Sequence, residues 1–183
     1  WGVSVTSPQA GADSATVAVQ TRVVNDAASW NGITPRGSLR LTALDARGQA
    51  AATNEAAIKP MATEPQDIGI SLTVPKPSLW SMESPSLYTL VAEVIVDGKV
   101  IDRTETHFGI RTISFDAEHG FLLNGKAVKL RGGCVHHDNG PLGSAAYDRA
   151  EQRRVELLKD AGFNAIRTSH NPPSPAFLDA CER

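Results

Sequence analysis

Apolar and polar positions alternate along most of the first hundred residues. In Ala15-Thr16-Val17-Ala18-Val19-Gln20-Thr21-Arg22-Val23, the positions Val17, Val19, Thr21 and Val23 fall on one face. A period of two is what a half-buried strand requires. Leu39 and Leu41 repeat it after Gly37, as do Ile68, Ile70, Leu72 and Val74. Tyr88, Leu90, Ala92, Val94 and Val96 follow, then Asp97-Gly98, then a run from Val100 to Phe108. Asp-Gly between two alternating runs predicts a tight hairpin, because a type I′ turn needs positive φ at both central residues. Val3–Thr6 and a stretch near Gln49–Ile58 complete about seven short strands.

Seven alternating strands with turn signals at short spacing predict an all-β, immunoglobulin-like sandwich over residues 1–111. Pro60, Pro65, Pro75, Pro77 and Pro85 fall between the expected strands, where a missing N–H does no harm. No cysteine pair staples this part. Cys134 and Cys181 both lie later, and two cysteines make no disulfide framework. They are expected as buried free thiols, the common fate of cysteine.

The pattern changes near residue 111. Phe121-Leu122-Leu123 and Ala127-Val128-Lys129-Leu130 flank Asn124-Gly125, a second tight-turn pair. A polar loop follows over Gly132–Ala146. Val155, Leu158 and Gly162 then recur after Glu151 at helical spacing, with Asp148 as the expected cap and Glu151 three residues on as its capping-box partner. Lys159 suits the C-terminal end of the helix dipole, and Gly162 a left-handed exit. Phe163–Arg167 reads as a short buried strand. Ser174-Pro175 opens a second helix carrying Phe177, Leu178 and Cys181, with Ser as cap and Pro at its first position.

Residues 126–183 thus read strand, loop, helix, strand, loop, helix, a βαβα segment that demands a parallel sheet. Two parallel strands cannot bury both faces of a sheet. The remaining strands are expected in chain outside these 183 residues or from another subunit. Trp1 opens the chain without an initiator Met or a basic leader, which reads as a domain boundary with the native N-terminus elsewhere. Localisation is therefore open between cytoplasm and periplasm or secretion.

Composition narrows the partners. With 18 basic and 20 acidic residues the net charge is −2, so no basic excess exists to attract nucleic acid. No run approaches the roughly 18 apolar residues of a membrane span. Neither nucleic acid nor membrane is an expected partner. Four of the five histidines (His119, His136, His137 and His170) lie after residue 111, which points to the second part as the place for chemistry.

In a βα fold, ligands bind beyond the carboxyl ends of the strands. Two polar groups lie there: Arg131–Asp138 after the first strand, and Arg167-Thr168-Ser169-His170-Asn171-Pro172-Pro173 after the second. His136, His137 and Asp138 are consecutive, so their side chains alternate in direction and converge poorly on one metal ion; no metal site is expected in this chain. Ser169 adjoins His170, yet no Gly-x-Ser-x-Gly elbow surrounds it. Cys134 near His136 leaves a thiol nucleophile as an open alternative. The residues alone also allow a plainer reading: loop histidines with backbone partners, an Arg167 paired with a carboxylate, and a stiff turn over 170–173.

Phe108-Gly109-Ile110-Arg111, Gly120-Phe121-Leu122-Leu123-Asn124-Gly125-Lys126, Leu130-Arg131-Gly132 and Gly162–His170 together resemble glycoside hydrolase family 2, the family of β-galactosidases, β-glucuronidases and β-mannosidases. Leu79-Trp80-Ser81, Pro85 and Leu87-Tyr88-Thr89-Leu90 resemble its approach to the last sandwich strands. The resemblance implies a sandwich domain over 1–111 followed, over 112–183, by the start of a TIM barrel. It implies a fragment of a retaining β-glycosidase, most specifically a β-galactosidase, with a β-glycoside as substrate and the full enzyme as a candidate homo-oligomer. Both catalytic glutamates are then expected after Arg183, so this chain alone is expected to be inactive. The resemblance assigns His136 and His170 to sugar contact and Arg167 to holding the nucleophilic carboxylate. His137, Asp138 and Asn171 are placed near the pocket. No cofactor is implied in this chain, and a divalent or monovalent metal of the full enzyme would be held by residues outside it. Many members read Asn-Arg-His-Glu or Asn-Lys-His-Glu where this chain has Cys134-Val135-His136-His137, with the acid moved to Asp138. That variant resembles a β-galactosidase branch. The competing reading from another class is a non-catalytic immunoglobulin-like binding or structural module.

Overall fold

The computed structural model describes residues 2–25, 36–59 and 64–183. The chain divides into two compact units, Trp1–Thr112 and Ile113–Arg183.

The first unit is the expected seven-stranded sandwich. Its strands are β1 (Val3–Ala10), β2 (Ser14–Val23), β3 (Gly37–Leu44), β4 (Ala50–Ile58), β5 (Gln66–Pro75), β6 (Leu87–Val96) and β7 (Lys99–Gly109). One antiparallel sheet has the order β1-β2-β5, the other β4-β3-β6-β7. The alternation sets the register. Val17 pairs with Leu72 and Val19 with Ile70 in the first sheet, while Leu39 pairs with Val94 and Leu41 with Ala92 in the second. These side chains meet in one core in which Val17, Leu39, Leu41 and Leu72 are essentially inaccessible. Burying each such leucine contributes roughly 1.5–3 kcal/mol. Asp97 and Gly98 both have positive φ, at 49° and 73°, and turn β6 into β7. β7 is an edge strand, exposed from Lys99 to Glu105; its Asp102, Arg103 and Glu105 keep that edge solvated. Pro65, Pro77 and Pro85 lie between strands, whereas Pro75 is the last residue of β5; Pro60 lies outside the described residues.

The second unit opens with a meander of β8 (Ile113–Asp116), β9 (Gly120–Leu123) and β10 (Lys126–Ala127). Asn124 and Gly125, at φ 51° and 74°, make the expected turn. β8 is an addition to the sequence reading. The first βα strand is also not Ala127–Leu130: it is β11 (Gly132–Val135), which pairs in parallel with β12 (Ala165–Thr168). Its two glycines look like loop in a sequence, yet Gly132 is where two backbones meet. A Cβ there would lie 2.2 Å from the Ala165 carbonyl oxygen.

Helix α1 (Asp148–Asp160) and helix α2 (Pro175–Glu182) complete the βα units. The expected capping box is absent. Tyr147 is the N-cap and makes no side-chain cap bond, Asp148 is already helical, and Glu151 is buried against other partners. Gly162 leaves α1 at φ 85°, as expected. At α2, Ser174 Oγ accepts the Phe177 N–H at 3.2 Å and Pro175 takes the first helical position. β12 is half-buried rather than buried, because among the described residues β11 is its only strand neighbour. Among the described residues, no helix is long and apolar enough to cross a membrane.

Candidate active site

The parallel ladder ends at Val135 opposite Thr168, and the Ser169 N–H extends it by donating to the Val135 carbonyl at 2.9 Å. His136 therefore leaves the carboxyl end of β11 beside the segment that leaves β12. His170 follows Ser169 across a cis peptide. The two imidazoles stand 6.1 Å apart between ring centroids, edge to face at 76°. Both histidines predicted for one pocket are thus neighbours.

Arg167 faces Cys134 across the ladder. Its Nη1 donates to Ser169 Oγ at 3.0 Å and reaches Cys134 Sγ at 3.5 Å. Ser169 is buried, so this guanidinium is held from the protein side. The hydrogen bonds from Arg167 and Ser169, with the positive charge of Arg167, hold the Cys134 thiol below its ordinary pKa. Cys134 and Cys181 are both exposed, contrary to expectation. Cys134 sits on a strand that has, among the described residues, a single neighbour. Partial burial on α2, and the charge of Glu182, push the Cys181 thiol up instead.

The loop after β11 is built from its own polar groups. The Asp138 N–H donates to the His136 carbonyl at 2.8 Å, and Asp138 Oδ1 accepts the Gly140 N–H at 2.9 Å. The Asn139 N–H donates to the Gly143 carbonyl at 2.7 Å, closing a short 3-10 turn over Gly140–Leu142. Asp138 therefore shapes the loop with its carboxylate.

A cleft lies between the strand ends and the two helices, with His136, His137, Asn171, Glu151, Arg154 and Phe177 among its walls. His137 and Asn171 join His136 there. Arg167, His170 and Asp138 are not part of its lining. Among the described residues, no three His, Cys, Asp or Glu side chains gather to hold a metal ion.

The sequence did not mark Glu151, Arg154 and Asn139 as parts of this region; Ser169 was marked only as a neighbour of His170. Glu151 and Arg154, three apart on α1 near buried Val155, form a charged pair on an inward face, with 4.0 Å between Oε1 and Nη1. A charge pair on the apolar side of an amphipathic helix was the available signal.

Known proteins resemble this chain in sequence and in fold. Residues 2–111 match Glycosyl hydrolases family 2, and residues 116–183 match Glycosyl hydrolases family 2, TIM barrel domain. A beta-galactosidase of Bacteroides ovatus is 40% identical over all 183 residues, which cover 21% of that protein. The crystal structure of a glycosyl hydrolase family 2 member from Bacteroides cellulosilyticus superposes with a TM-score of 0.92 at 48% identity, covering 100% of this chain and 23% of that one. A Bacteroides uniformis beta-glucuronidase gives 0.88 at 32% identity over 99% of this chain and 22% of its own. The chain spans about a fifth of the length of these relatives.

Proposed function

The chain belongs to glycosyl hydrolases family 2, and from that premise we propose that the whole protein is a retaining β-glycosidase acting on terminal β-linked galactose. The observation that carries the reading is the meeting of His136 and His170, 6.1 Å apart, at the carboxyl ends of two parallel strands, with Arg167 fixed on the second. The match of residues 116–183 to the barrel domain favours it over a non-catalytic sandwich module. The beta-galactosidase of Bacteroides ovatus, aligned along the entire chain, supports galactose as the sugar.

Retaining hydrolysis uses two carboxyl groups about 5–5.5 Å apart, one as acid/base and one as nucleophile. In this reading both are glutamates supplied by later barrel strands. Arg167 keeps the nucleophile ionised and aimed, because a guanidinium beside a carboxylate favours its charged form. Its own bond to Ser169 orients it before substrate arrives. His136 and His170 donate to sugar hydroxyls, whose hydrogen bonds strengthen as the ring becomes oxocarbenium-like. His137 and Asn171 form the adjoining wall, and Asp138 holds the loop that presents them.

The test is a panel of aryl β-galactoside, β-glucuronide and β-mannoside offered to the full-length protein and to the 183-residue chain. The full-length protein is expected to release the aryl group from the galactoside fastest, and the 183-residue chain from none. A full-length protein that cleaves no β-glycoside overturns the reading; faster glucuronide cleavage overturns only the sugar.

A further inference from the structure

Helix α1 sends one side chain back to the loop that carries His136. Arg154 Nη1 donates to the His136 carbonyl at 2.9 Å, and Nη2 donates to the Asp138 carbonyl and, at 2.6 Å, to Asn139 Oδ1. Three acceptors within four residues are thus held by one guanidinium. Asn139 closes the arrangement: its Nδ2 donates to Glu151 Oε1 at 3.2 Å and to the Ala145 carbonyl at 3.3 Å. Glu151 in turn lies 4.0 Å from Arg154. The side chains of Arg154 and Glu151 are only 16% and 5% exposed.

A buried pair of this kind is a poor source of net stability, since desolvation offsets much of its attraction. It does fix geometry. A planar fork with five donors can hold several carbonyls in set directions, which an ammonium on a flexible stem cannot. The His136 carbonyl is pinned by both Arg154 and the Asp138 N–H. With that peptide held, the direction in which the His136 imidazole leaves the chain is held too.

We propose that Arg154 is a positioning residue for glycoside hydrolysis: it anchors the loop after β11 so that His136 meets the sugar in the orientation the transition state requires. Glu151 and Asn139 complete the anchor by pairing with Arg154 and with each other. The proposal rests on His136 as a sugar contact. It assigns Arg154 and Glu151 of α1, and Asn139 of the loop, a role that none of the site chemistry above requires of them.

The experiment is a double-mutant cycle in the full-length protein, on the aryl β-glycoside that it hydrolyses best. Arg154→Ala is expected to lower kcat/KM about 100-fold, the order of loss for a displacement of about 1 Å at a reacting centre. In the His136→Ala background the same change is expected to cost less than about threefold, because residues acting through one another are not additive. Should Arg154→Ala fail to fold, Arg154→Lys enters the cycle with an expected loss of about tenfold and the same coupling. Additive losses overturn the proposal and leave His136 as a contact. A His136→Ala enzyme as active as its parent overturns the contact, and the proposal with it.

Discussion

Replacing Gly132 with alanine tests how closely β11 and β12 must approach for the histidines to meet. The added Cβ would stand 2.2 Å from the Ala165 carbonyl oxygen and 3.1 Å from the Ala165 side chain, where ordinary contact begins near 3.4 Å. The 2.2 Å obstacle is backbone, so relief requires the strands to part by more than 1 Å. The ladder has only four registered pairs, Gly132–Val135 against Ala165–Thr168, and cannot absorb such a shift locally. Overpacking of this kind costs about 1–3 kcal/mol. The larger consequence is for the site: His136 and His170 leave these two strands, and a displacement of about 1 Å at reacting groups costs on the order of 100-fold in rate. Among the described residues a Cβ on Gly133 would meet nothing within 4 Å, so Gly133→Ala is the comparison variant in the 183-residue chain. In the full-length protein, steady-state hydrolysis of an aryl β-galactoside should fall about 100-fold for Gly132→Ala; in the 183-residue chain Gly132→Ala should lower the thermal midpoint and Gly133→Ala should not. Full activity of Gly132→Ala, or equal thermal midpoints for the two variants of the 183-residue chain, would show that the two strands tolerate a side chain at this approach.

The two cysteines should titrate apart. Arg167 and Ser169 depress the Cys134 pKa, so its alkylation should rise with pH earlier than that of Cys181, which burial raises; mass spectrometry after iodoacetamide pulses along a pH series reads both, and Arg167→Ala should move the Cys134 midpoint upward. Leu41→Ala in the sandwich core should cost about 2–5 kcal/mol in denaturant unfolding of the first unit, since Leu41 is wholly inaccessible. Ser174→Ala removes the bond to the Phe177 N–H and should lower stability by about 1 kcal/mol, whereas Asp148→Ala, at a position that makes no cap, should not lower it by the same route.

Local signals carried much of this fold. The alternation at Val17, Val19, Leu39 and Leu41 named the core directly, because side-chain direction in a strand has period two. Asp97-Gly98, Asn124-Gly125 and Gly162 marked turns and exits because their positive φ demands residues of that kind. Tertiary partners explain what was not legible. Gly132 and Gly133 carry no side chain to display a strand period, so β11 was displaced to the residues before it. Asp148 and Glu151 fit a capping box in sequence, but Asn139 and Arg154 claim Glu151 instead. His136 and His170 stood out as candidates from their place after the two expected strands, and the family resemblance, not the spacing, gave them a role. Arg154 did not stand out, because two of its acceptors are backbone carbonyls 16 and 18 residues earlier, and any residue type offers a carbonyl.

The proposed enzyme is a retaining β-galactosidase whose sugar site is built on the carboxyl ends of β11 and β12. Proton NMR of the first turnovers of the full-length protein on an aryl β-galactoside tests it most directly. A retaining enzyme releases the β-anomer of galactose first, which mutarotates later. Initial appearance of the α-anomer, or no sugar release, would contradict it.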